Sequence, residues 1–488
     1  MAYNRQRRPP RCPLYSWLVL CLLCQLLLLQ GPLVVLARVL DIVDFGAVAD
    51  SKEAAARNTA AISSAFANAT NGDTVLLPDG NFFVLGGIQG SSLTNVTLQM
   101  EGVLTALPDI EAWPHAKRAY LPLIQLSNCS FLTVTSLSGK ANIDGQGAIW
   151  WDKTILNQLA YTRPKLFVIT ESTDLLLERF NMTNAPFWHL VLEHNARVEV
   201  RYVNVMVERS IQQMFKDRMR QLRGGRALQG ASSMGLEPED LNTDGIDPSG
   251  TDYWIHDCFI MNDDDSVAVK PSNGRSPLSS CSQNMVIENM VMTGFGASIG
   301  SVPPHEHVNC IRNITFRNIS MPQTGKGIYI KSNPTCSDPG DRPQKRGIIQ
   351  DILYEDVHIL QPRWWAIWIG PQQQHQPGSE LDRKCALAYP LSPHCPTQGC
   401  VDFHNITLRR VTIQDPWLSP GVILGNSTNP MQGLVFDGVV VRGGPGWFPF
   451  GGEYHCEHAF GKAINSQPVP SCLSSSSSSS YLSASPPA

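Results

Sequence analysis

Gln283-Asn-Met-Val-Ile-Glu-Asn-Met-Val-Met292, Asn313-Ile-Thr-Phe-Arg-Asn-Ile-Ser-Met321 and Asn405-Ile-Thr-Leu-Arg-Arg-Val-Thr-Ile413 repeat one local design. A polar residue leads into a short run with apolar side chains at every second position, and a second such run follows. Period two marks strands with one buried face. The same design recurs from Asn95, Ser172, Arg197 and Gln350. Equivalent positions recur at roughly 20 to 40 residues, stretched where loops intrude, which is the period of a solenoid. One coil cannot bury its own apolar face, but coils stacked about 4.8 Å apart make a continuous core. A β-sandwich would instead show turn signals every 8–12 residues or so and Asn-Gly hairpins, and these are scarce. The expectation is an all-β chain forming a single-stranded parallel β-helix.

Other segments frame this body. Arg57 to Ala69 places Ala60, Ile62, Ala65 and Phe66 at helical spacing, which suits an N-terminal helix capping the first coil. Residues 210–235 are polar and basic and read as an insertion between coils. Residues 371–400, rich in Gln, Pro and Cys, read as a long loop. From Leu473 to Ala488 the chain is dominated by serine and reads as a disordered tail.

The N-terminus has the order of a secretory signal. Arg5, Arg7, Arg8 and Arg11 precede an apolar run from Trp17 to Leu29, then Gln30-Gly31-Pro32 and the small residues before Arg38. An uncleaved anchor is the competing reading, since Leu33 to Leu36 extend the apolar run. The resulting division is a signal over 1–37, a β-helix body over 38–472 and a tail over 473–488. Ten cysteines lie beyond the signal, and Cys385, Cys395, Cys400, Cys456 and Cys472 cluster as local disulfide staples would. Eight N-x-[ST] triplets, among them Asn95, Asn313, Asn318 and Asn405, agree with export. The protein is expected outside the cell or in a cell wall, as a monomer without stable membrane association. With 43% hydrophobic and 16% charged residues, the chain is neither disordered overall nor a coiled coil. Its formal net charge of −4 offers nothing to nucleic acid.

The chemistry concentrates in Asn242-Thr-Asp-Gly-Ile-Asp-Pro248 and Asp263-Asp-Asp-Ser-Val-Ala-Val-Lys270. The interval between Asp244 and Asp264-Asp265 is about one coil, so carboxylates on neighbouring rungs converge to about 5 Å. Crowded acids raise one pKa and provide a general acid beside an ionised base. Acid triplets also decorate turns, but this one opens directly into a strand. No paired CxxC arrangement with zinc spacing occurs beyond the signal, so no metal is expected. Two carboxylates and water suffice for glycoside hydrolysis, so no cofactor is expected either.

With Asp44-Phe-Gly-Ala-Val-Ala-Asp50, Asn142-Ile-Asp-Gly-Gln-Gly147 and Asn184-Ala-Pro-Phe-Trp-His189, these motifs make the chain resemble family 28 glycoside hydrolases, the polygalacturonase group. The resemblance covers most of residues 39–450. It implies a right-handed β-helix and hydrolysis of α-linked galacturonate in pectic polysaccharide with inversion. Asp264 would be the general acid, and Asp244 and Asp265 would activate water. Asn242, Lys270, Tyr329 and Lys331 would hold substrate.

Two positions depart from the family. Its Gly-His-Gly stands here as Gly294-Phe295-Gly296, and its Arg-Ile-Lys as Tyr329-Ile330-Lys331. Phe295 exchanges no proton, and the bidentate arginine clamp is lost. Ser266, where the family often has Cys, is expected to matter only to disulfide layout. The acid–base set is intact while substrate holding is altered, which points to a modified, branched or less charged pectic chain, or to an exposed chain end. His305 and His307 follow the altered motif and are candidates to approach the site, a surface loop being their ordinary place. Trp364, Trp365 and Trp368 are candidates for a sugar platform, Trp365 being equally placed for the core. A carbohydrate-binding β-helix without turnover and a pectate lyase are the rival classes.

Overall fold

A computed structural model describes residues 37–208, 242–272, 276–305, 307–333, 346–374, 384–386, 389–444 and 448–476. The proposed signal and the 210–235 insertion lie outside them, as do parts of the 371–400 loop and most of the tail. No described helix is long and apolar enough to cross a membrane.

Alternation in the sequence becomes a solenoid wall in the body that begins at Val39. Gln283, Met285, Val286 and Ile287 pair in parallel with Arg312, Ile314, Thr315 and Phe316 of the next coil. Those residues pair in turn with Gln350, Ile352, Leu353 and Tyr354. Thirty strands join in this way into one sheet, wound as a right-handed parallel β-helix. Met285, Ile287, Ile314, Phe316, Ile352 and Tyr354 point inward and are buried. Short strands close the coils on two further faces. One of these faces stacks Ile88–Ser91, Ile124–Ser127, Phe167–Thr170, Leu190–Arg201, Ile246–His256, Val267–Val269, Ala297–Val302, Ile328–Ser332 and Ile367–Gln372. This stack carries the site.

The chain turns its corners through left-handed residues, with φ of 57° at Asn284, 53° at Asn313, 56° at Asp351 and 52° at Asn405. Asparagine and aspartate tolerate that conformation. Their side chains also bond from rung to rung: Asn313 Nδ2 donates to Asn284 Oδ1 at 2.8 Å, and Asn405 Nδ2 to Asp351 Oδ1 at 3.0 Å.

The predicted capping helix spans Ala55–Asn68 and buries Asn58, Ala61, Ile62, Ala65 and Phe66, leaving Ala60 outside. Asn58 ties it down, donating to Val48 O at 3.0 Å and Phe83 O at 2.9 Å. Disulfides join Cys281–Cys310, Cys385–Cys395 and Cys456–Cys472, and Cys400 is also disulfide-bonded. Cys129 and Cys258 are reduced and buried in the core, so the ten cysteines do not all pair. The tail also begins later than its composition implied, because Ser474–Ser476 add a rung to Lys462–Ile464.

Candidate active site

Asp244, Asp264 and Asp265 sit where strands of successive rungs begin, and one oxygen from each lies within 4.8 Å of the other two. Their positions are fixed by backbone. The Asp244 carbonyl accepts from His189 N at 2.9 Å and lies 3.0 Å from His189 Nδ1. Ala185 N donates to His189 Nε2 at 3.2 Å, so the imidazole is neutral with its proton on Nδ1. Burial depresses its pKa to about 4, in keeping with a neutral ring. Asn262 Nδ2 lies 2.9 Å from Thr243 O, 3.0 Å from Asp264 O and 2.9 Å from Asp265 O, closing the acidic turn. Ser266 Oγ sits 2.9 Å from Asn262 Oδ1 and 2.7 Å from Thr293 O. It is therefore part of the turn's bracing, which corrects the reading that it bears only on disulfides. Phe295 N donates to Asp264 O at 2.7 Å. A Cβ on Gly294 would lie 2.2 Å from that same carbonyl, so glycine is required for the approach.

The carboxyl groups differ in what faces them. Asp265 Oδ2 is 2.6 Å from Lys331 Nζ and Oδ1 accepts from Ser298 Oγ at 2.8 Å. Burial alone would raise its pKa, but Lys331 and Lys270 outweigh burial and hold it below the ordinary value. Asp264 receives two backbone N–H groups, from Asn242 at 2.9 Å and Asp265 at 2.8 Å. Burial, then the charges of Asp244 and Asp265, push it up to about 7. Asp244 is also raised to about 7, by burial and by Asp247, against the pull of Lys270. Its Oδ1 accepts no hydrogen bond among the described residues.

Asp247 is a fourth carboxylate that the motif contained but whose place sequence reasoning did not assign. It is buried, raised to about 6 chiefly by burial, and lies 3.4 Å from Lys270 Nζ. Lys270 also reaches Asp244 at 3.1 Å and Asp265 at 4.0 Å, so it faces the acids as much as any substrate. Asn242 joins the site through its backbone, while its Oδ1 accepts from Arg163 at 3.3 Å.

These groups line a cavity of about 330 Å³, together with Trp188, Glu193 and His194. Lys165 and Lys270 lie over the Trp188 ring at 4.5 and 4.8 Å. Tyr329 does not reach the cavity. It is buried in an aromatic cluster with Trp364, Trp365 and Trp368, so neither it nor the tryptophans forms an open sugar platform. Phe295 packs edge-on against Tyr329 and Trp364. The Lys326 amino group sits 3.8 Å above the Tyr329 ring, and burial, then Lys331, hold its pKa well below the ordinary value. His305 pairs through its backbone with Arg346, and neither it nor His307 lines the cavity.

Residues 69–458 match glycosyl hydrolases family 28. The chain belongs to that family. By sequence it is similar to endo-xylogalacturonan hydrolase A of Aspergillus tubingensis, with 26% identity over 61% of this chain and 64% of the relative. The chain thus spans less than two thirds of the length of the curated family 28 relatives it first matches. The solved A. tubingensis endo-xylogalacturonan hydrolase shares the fold, with a TM-score of 0.55 and 20% identity over 90% of this chain and 99% of that one. So does an exopolygalacturonase from Thermotoga maritima, at a TM-score of 0.59 and 15% identity over 90% and 92% of the two chains.

Proposed function

We propose that this family 28 member is an exported hydrolase of pectic polysaccharide. Asp264 protonates the departing glycosidic oxygen, and Asp244 with Asp265 activates the attacking water. One observation carries the reading: of two adjacent buried carboxyls, Asp265 faces the Lys331 ammonium at 2.6 Å while Asp264 meets two backbone N–H groups, so the pair is driven apart, Asp264 upward and Asp265 downward. An acid and a base working at one pH need that split. The disulfides suit an oxidising compartment.

The substrate is a substituted or branched galacturonan in preference to bare polygalacturonate. The cavity presents Glu193, Asp244, Asp247, Asp264 and Asp265 against Lys270 and Lys331, and both lysines already face aspartates. Both lysines are thus committed to the acids, which leaves little counter-charge for a uronate carboxylate. Relatives named for xylogalacturonan support the same choice. Reducing-end release from homogalacturonan and from xylogalacturonan, with Asp264→Asn as control, tests both parts. Release from the substituted polymer, lost in the variant, is the expected result, and no release from either polymer defeats the reading.

A second stereochemical course has a specific observation behind it. Nearest oxygens within 4.8 Å fall short of the separation of about 6.5–9.5 Å usual for inversion. Inversion remains the reading, with water held between Asp244 and Asp265 on the face of the sugar opposite the oxygen that Asp264 protonates. Proton NMR of the first-formed anomer decides it, since a retained configuration would make one of these aspartates a nucleophile.

A further inference from the structure

A second concavity of about 490 Å³ lies on the first two coils, at the end of the capping helix. Its polar wall is made by Gln89, Ser91 and Ser92 on one rung and Gln125 and Ser127 on the next. No charged residue lines it. Gln89 and Gln125 are register partners, as are Ser91 and Ser127, yet none of these side chains bonds to another. Elsewhere stacked polar side chains do bond across rungs, as Asn204 Nδ2 does to its register partner Asn181 Oδ1 at 3.0 Å. The amides and hydroxyls of the groove are thus unengaged by the protein among the described residues. The floor is firm: Gln89 N donates to Ser63 Oγ of the helix at 3.2 Å, and Phe66 and Leu126 close beneath Gly90.

The groove shares a sheet face with the catalytic cavity. Gln89, Gln125, Val168, Val191 and Asp247 are partners on successive rungs. Ser127, Thr170 and Glu193 form the neighbouring column. Asp247 and Glu193 line the cavity. Val168 and Val191 are covered, but Ser127, Thr170 and Glu193 stay half-buried, and Ser127 is two rungs from Glu193, about 10 Å at the spacing of paired strands, a span one polysaccharide chain covers with a few residues.

We propose that this groove is a distal binding site for the chain that enters the catalytic cavity, and that it takes neutral, hydroxyl-bearing sugar residues. Amide and hydroxyl groups without a nearby cation hydrogen-bond sugar hydroxyls and give a carboxylate no counter-charge. The inference rests on the pectic reading above and deepens it.

The test uses the full chain carrying Asp264→Asn, so that polymer survives. Affinity electrophoresis in soluble xylogalacturonan and in homogalacturonan compares it with the same chain carrying Gln89→Ala/Gln125→Ala, and with a groove-filling Ser127→Trp. Both changes are expected to weaken xylogalacturonan binding about ten-fold, with a smaller loss on homogalacturonan. In the turnover-competent chain they lower the ratio of kcat/KM for long over short chains, through KM. Equal retardation of all three proteins, or no retardation of any, overturns the distal site. Equal losses on both polymers overturn its preference for neutral sugars. Absence of turnover with groove-dependent retardation would defeat the hydrolase reading while keeping the site.

Discussion

Lys331 Nζ lies 2.6 Å from Asp265 Oδ2, and both side chains are buried. Among the described residues, the adjacent carboxyl, Asp264, has only backbone N–H groups at hydrogen-bonding distance. Consecutive residues therefore carry a carboxylate held ionised by an ammonium and a carboxyl driven toward its protonated form.

Replacing Asp264 with Asn removes the transferable proton and leaves the shape. Turnover on the preferred polymer should fall by about 10²–10⁴-fold. Polymer binding should be retained, which separates a hydrolase from a binding protein on the same scaffold.

The pH dependence follows from directions already given. Asp264 must be protonated to act, so activity should decline as pH rises through about 7. Its folded pKa exceeds the unfolded value, so its contribution to stability is complete below the unfolded pKa of about 3.9 and is lost as pH rises through the folded one. Thermal melts should therefore show the parent losing stability relative to Asp264→Asn as pH rises from about 4 to about 7.

Lys331→Met leaves Asp265 buried without its closest partner. A stability loss of about 3–5 kcal/mol is expected from breaking such a pair. Asp265 would then titrate higher, so the acid limb of the pH–rate profile should move up. Lys331→Arg should keep the limb near its original place, a comparison that a purely structural lysine would not produce.

Tyr329→Arg restores the family's residue type but not its function. The position lies in a closed aromatic cluster beside the Lys326 amino group. A buried guanidinium there should cost about 3 kcal/mol or more, read as a lower melting temperature with no gain on homogalacturonan.

A chelator should leave turnover unchanged. Lys270 and Lys331 already bring positive charge to the aspartates. Loss of activity with EDTA, together with an ultraviolet-absorbing unsaturated product, would instead indicate a lyase.

The solenoid was legible because period-two alternation survives every loop insertion, as between Asn313 and Asn405. The aspartates were legible because their one-coil interval places them on adjacent rungs. Asp247 was hidden, since an aspartate before proline looks like a turn residue until Lys270 is seen between it and Asp244. Tyr329 and Trp368 misled for a different reason. Both occupy outward positions of their strands, where alternation implies exposure. Tyr389 packs edge-on against Trp368 and Phe450 stacks on Trp365, so loop residues distant in sequence cover that face. Strand periodicity carries no information about such a second layer.

The corner asparagines bear on how sugar attachment is inferred from sequence. A left-handed corner selects Asn, and the strand that follows places a β-branched or hydroxyl residue two positions on, as in Asn313-Ile-Thr315 and Asn405-Ile-Thr407. The acceptor triplet for N-glycosylation is thus generated by coil geometry itself. At Asn95, Asn313, Asn318 and Asn405 the amide nitrogen already donates to a side chain on a neighbouring coil. Triplet number in a β-helix therefore counts corners before it counts glycans.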